Sequence, residues 1–139
     1  MMIGFLKAKR FIGCLLPVLL AVLLVTGCST SSQEKVEDLE FDIATTEDVP
    51  EALQRIIDEK KADPFKLTYS NDGLLYVVVG YGTQDTGGYS IQVPECYRTE
   101  DSIVVDTELI GPSAGEAATQ TYPYVVLVMT DISLPVLFE

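Results

Sequence analysis

Asn71-Asp72-Gly73-Leu74-Leu75-Tyr76-Val77-Val78-Val79-Gly80-Tyr81 is the stretch on which the reading of the chain turns. Asn-Asp-Gly supplies residues that tolerate the left-handed backbone of a tight hairpin, so a strand must precede it and another must follow. The residues from Leu74 to Tyr81 are apolar without alternation, which suits a central strand rather than one with a wetted face. Phe65 to Tyr69, just before the turn, supplies the hairpin's first strand.

Upstream, Asp48 to Lys61 has helical rather than strand periodicity. Leu53, Ile56 and Ile57 share a face, Pro50 suits a first turn, and acids at the start with Lys60 and Lys61 at the end complement the helix dipole. Pro64 disfavours helical geometry at Asp63 and predicts the stop. Downstream, Tyr89, Ile91 and Val93 alternate with Ser90 and Gln92, and Cys96 to Arg98 continues that strand across a bulge at Pro94. Further strands are expected at 103–110, 121–130 and 134–138, with Pro123 at an edge, a strand start or a bulge because it cannot donate to a ladder. The expected fold is α+β and mainly β: one N-terminal amphipathic helix, then a small antiparallel sandwich or barrel of about six strands.

The first residues follow a different logic. Lys7, Lys9 and Arg10 precede an apolar run that ends in Val25-Thr26-Gly27-Cys28, the layout of a secretory signal. The run is shorter than the roughly 20 apolar residues of a membrane span and contains Pro17. It resembles a bacterial lipoprotein signal, whose lipobox of aliphatic, small, Gly and Cys is filled in order by Val25, Thr26, Gly27 and Cys28. That resemblance implies cleavage before Cys28 and a diacylglyceryl group on its sulfur. Cys14 also follows a glycine but has little apolar sequence ahead of it. Residues 1–27 are thus expected to be a signal peptide, 28–45 the lipidated cysteine and a polar tether, and 46–139 the folded domain. The expected location is extracytoplasmic, with the protein held at a membrane by lipid.

Processing sharpens the charge. All twenty-one acids lie beyond Cys28 and only six bases remain, so the mature chain carries a formal charge of −15. Such a surface repels phosphate, which speaks against a nucleic-acid partner. There is no histidine in the chain, which removes Ser-His and Cys-His catalytic pairs and most zinc arrangements. Cys96 suits a small buried strand position, Glu100-Asp101 a turn, and Asp106 with Glu108 a solvated strand face. Asn71-Asp72-Gly73 lacks the spaced oxygens of a calcium loop, and Gly80-Tyr81-Gly82 does not open a helix as a phosphate cradle does. No enzymatic activity, metal or cofactor is expected.

What remains is glycine. Gly80, Gly82, Gly87 and Gly88 crowd one connection and supply more freedom than closing a hairpin requires. Strand glycines also mark bulges and close backbone contacts, so local bending accounts for the cluster as well. Thr86-Gly87-Gly88-Tyr89-Ser90-Ile91, then Gly111-Pro112 and Gly115, then Thr119-Gln120 and Tyr122-Pro123-Tyr124-Val125-Val126 follow in that order. This pattern resembles the C-terminal domain of the PrcB family, lipoprotein accessory subunits of bacterial surface protease complexes. The chain departs from the family's habit at Asp85, where a proline often stands, and at 111–115, where a Pro-Gly-Pro-Gly-like turn is usual.

The resemblance implies a noncatalytic lipoprotein that binds and stabilises a partner, a secreted protease, with Tyr81, Thr86, Gly87, Gly88, Tyr89, Gly111, Pro112 and Gly115 as the contact surface. An unpaired edge strand near Pro123 is a second route to a partner. Thr86 to Tyr89 is also similar to the Thr-Thr-Gly-Tyr loop of chagasin-type cysteine-peptidase inhibitors, whose other motifs are missing here. A structural or ligand-binding surface lipoprotein is the third alternative.

Overall fold

A computed structural model describes residues 34–115 and 117–139. The signal sequence, the lipobox and Cys28 lie outside the described residues. Among those residues are eight strands and one helix, in chain order β1 Glu37–Asp38, β2 Asp42–Ile43, α1 Glu51–Lys60, β3 Pro64–Asn71, β4 Leu74–Tyr81, β5 Ser90–Arg98, β6 Ile103–Ile110, β7 Tyr124–Thr130 and β8 Val136–Phe138. They form two four-stranded sheets, β1-β5-β6-β8 and β2-β7-β4-β3, rather than a closed barrel.

The unbroken apolar run of β4 is explained by three layers. Leu75, Val77 and Val79, with Val125, Leu127 and Met129 of the neighbouring β7, face the other sheet and meet Cys96, Ile103 and Val105 there. Tyr76 and Val78 point the opposite way, onto Leu53 and Ile57 of α1. With Val77, Val78, Leu53 and Ile57 fully buried, each such side chain contributes about 1.5–3 kcal/mol. A strand between a sheet and a helix has no wetted face on which to place polar residues.

The hairpin forms as its turn residues dictate. Asn71 pairs with Leu74, and Asp72 and Gly73 both have positive φ, 50° and 77°, as a two-residue turn of this hand requires. In β5 the register slips between Gln92 and Glu95, the bulge expected at Pro94. Helix α1 is shorter than the 48–61 expected; Pro50 stands just before its first turn, and its carbonyl accepts the Gln54 N–H at 2.9 Å.

Three expectations need correction. Residues 34–45 are not wholly a tether: β1 pairs with Tyr97 and Arg98, β2 with Leu127 and Val128, and Leu39 and Phe41 between them pack against the inter-sheet core. This segment crosses from one sheet to the other along the side of the sandwich. Second, the sheets are not purely antiparallel, because β8 runs parallel to β6. The chain leaves β6 for the other sheet and returns only after β7, so it comes back in the same direction. Third, β7 starts at Tyr124 and is a central strand between β2 and β4, so of the places expected for Pro123 it takes the strand start, and the strand it opens is not an edge strand.

Candidate functional site

Two connections cross between the sheets, residues 82–89 from β4 to β5 and residues 111–123 from β6 to β7, and both leave from the same end of the sandwich. The register makes this unavoidable: Gly80 lies opposite Tyr124, and Ser90 lies opposite Ile110. The three sequence blocks separated along the chain therefore meet in space.

They are also tied together. Gln84 and Thr121 form an isolated antiparallel bridge, with Gln84 N–H to the Thr121 carbonyl at 2.8 Å and Thr121 N–H to the Gln84 carbonyl at 2.9 Å. The Thr121 hydroxyl donates to the carbonyl of Thr86 at 2.7 Å, and the Gly87 N–H reaches the Ala117 carbonyl at 3.4 Å. From the helix side, the N–H and hydroxyl of Thr83 both donate to the carbonyl of Ala62, at 3.1 and 2.9 Å. The loop is laced at its base and open at its tip.

The expected contact residues fall into two groups. Tyr81 is half-buried, and its hydroxyl shares a 2.6 Å hydrogen bond with Thr107 Oγ1 of β6, which pins the two sheets at this end. Thr86, Tyr89 and Pro112 are half-buried, whereas Gly88, Gly111 and Gly115 are exposed and Gly87 is partly so. Gly80 is needed by the fold, because a side chain there would collide with the Phe65 ring across the hairpin. Gly88, at φ 82°, occupies backbone that an L side chain enters only with strain. Gly87 and Gly111 differ. Neither has positive φ; a Cβ at Gly87 would touch only Thr121 Cγ2 at 4.0 Å, and one at Gly111 would meet nothing.

Tyr122 was absent from the expected set. It is 36 % exposed beside the loop, and Lys61 Nζ lies 5.4 Å from its ring centre. Its place in the Tyr122-Pro123-Tyr124 block was the available signal, and an exposed aromatic there has the character of an interface anchor. Gln84 and Thr121, which lace the loop, carried no recognisable signal in the sequence.

The end presents main chain, small residues, hydroxyls and the exposed aromatic ring of Tyr122. Cys96 lies in the core, not at this end, and burial, with Asp38 nearby, pushes its thiol up to about 11, so it stays protonated at neutral pH. Among the described residues no group of three Cys, Asp or Glu side chains gathers where a metal ion could be held.

Residues 75–130 match the family model described as PrcB C-terminal, a span running from β4 through the end of β7 that takes in both crossing connections. No curated protein and no solved structure matches the chain.

Proposed function

We propose, from the match of residues 75–130 to the family model described as PrcB C-terminal, that the chain is a noncatalytic accessory lipoprotein that binds and stabilises a secreted protease through the end of the sandwich built by residues 82–89 and 111–123. In this reading Cys28 carries the lipid, the domain stands on the extracytoplasmic side, and the partner meets Gly87, Gly88 and Gly111 with Tyr122 at the rim.

One observation carries the reading. Gly87 and Gly111 are glycines that the chain's own fold does not demand, and both lie on the exposed end where the family's blocks converge. Bare main chain there allows another protein to approach closely, as a bulky side chain would not.

The test is crosslinking on intact cells followed by mass spectrometry of whatever is joined to the full-length chain. Recovery of one secreted protein, lost when Gly87→Tyr is introduced into a chain that remains folded, is the expected outcome. Recovery of the same protein at the same yield from Gly87→Tyr would remove the loop from the account. Labelling with a palmitate analogue that fails to depend on Cys28 would remove the anchor.

A further inference from the structure

Backbone groups on a sheet edge are either paired or available. The two-residue turn makes Asn71 and Leu74 a hydrogen-bonded pair, so Tyr69, Leu67 and Phe65 also bond toward β4 while Ser70, Thr68 and Lys66 direct their N–H and C=O groups away from it. β3 is the last strand of its sheet, and among the described residues no backbone hydrogen bond reaches that outer row. The other edges offer less: β1 and β2 are two residues each, β8 is three, the uncovered part of β5 is broken by the bulge at Pro94, and the part of β6 that β8 leaves uncovered carries Asp106 and Glu108. Natural edges of eight residues are normally blunted by charge, proline or a bulge. β3 has Pro64 only at its start, one charge, and an unbroken register.

Two features indicate what fits. Pro64, Phe65, Lys66, Val79, Gly80 and Tyr81 line an open apolar groove of about 440 Å³ where β3 begins, at the same end of the sandwich as the laced loop. In a strongly acidic domain, Lys35, Arg55, Lys61 and Arg98 each have a carboxylate partner, whereas Lys60 and Lys66 are in none of these ion pairs; of the two only Lys66 lines the groove, and its Nζ lies 5.6 Å from the centre of the Phe138 ring. An unpaired cation on the rim of an apolar groove, at the start of a free strand edge, favours an extended peptide with an apolar side chain followed by a carboxylate.

Resting on the function proposed above, we infer that the partner, having met the loop end, lays an extended, acidic and apolar segment along the outer edge of β3 as a fifth strand of that sheet. The loop then sets position, and the strand supplies main-chain hydrogen bonds.

The experiment places a photoreactive benzophenone residue at Thr68, at Ser70 or at Asp85 of the full-length chain in the producing cell, with each crosslinked peptide sequenced. Thr68 and Ser70 are expected to link to one continuous segment of the protein captured from Asp85, at sites displaced by a strand's two-residue step, and Lys66→Glu is expected to lower that yield about tenfold. Capture from Asp85 with none from β3 overturns the inference and leaves the proposed function standing. Crosslinks from β3 to a second copy of this chain also overturn it, because the edge would then serve self-association. No capture from any of the three positions overturns both.

Discussion

The two connections that flank β4 use glycine for different reasons. Before the strand, Asp72 and Gly73 close the shortest possible hairpin, and both positive φ values are consumed by the turn itself. After it, residues 82–89 must carry the chain from one sheet to the other; Gly88 answers a backbone demand, but Gly87 does not. A glycine explained by its own φ or by a close neighbour says nothing about partners. One left unexplained by either is where a partner's backbone can be sought.

Substitutions along this path separate the two kinds. The largest effect on stability is expected at the foot of the loop, where Gly80→Val drives a branched side chain into Phe65; overpacking of this kind costs about 1–3 kcal/mol, seen as a lowered midpoint in urea unfolding. Gly73→Ala at φ 77° is expected to cost about 1–2 kcal/mol without altering capture of a partner, because the hairpin turn lies at the opposite end of β4. A Gly73→Ala chain that unfolds normally but loses its partner would break the distinction between the two connections. Gly87→Ala is expected to change the unfolding midpoint by no more than about 0.5 kcal/mol equivalent. A larger loss would make Gly87 a structural glycine after all.

Cys96 tests the core behind both. Its thiol is held up to about 11 against an ordinary 9.0 by burial, so the neutral form belongs to the folded state. The associated stability is present in full below pH 9 and is lost as pH rises from 9 toward 11. Cys96 of the folded protein at pH 8 should therefore react with a thiol reagent only through unfolding, and rapid labelling of Cys96 in the native state, located by peptide mapping, would contradict the packing of β5.

The fold was legible where one residue type had one physical use. Asn71, Asp72 and Gly73 fixed the hairpin, the doubly covered β4 announced itself by lacking polar residues, and Pro94 marked its bulge. Strands β1 and β2 were not legible, since two residues cannot show a period and Glu37, Asp38 and Asp42 read as solvated linker. The parallel pairing of β8 depends on the chain visiting the other sheet first, which no local pattern encodes. At the site, the glycines and the order of the blocks were visible, but their convergence is a property of register. Tyr81 illustrates the limit, because only the structure directs its hydroxyl to Thr107.

The central claim is that the exposed end holding Gly87 and Gly111 is where another protein docks. The direct measurement is the affinity of the captured partner for the full-length chain and for its Gly87→Tyr and Gly111→Tyr variants, each checked for an unchanged unfolding midpoint. Losses of about thirtyfold or more are predicted for Gly87→Tyr, the scale of an interface hot spot, with a smaller loss for Gly111→Tyr. Undiminished affinity in both stable variants would place the docking surface elsewhere on the molecule.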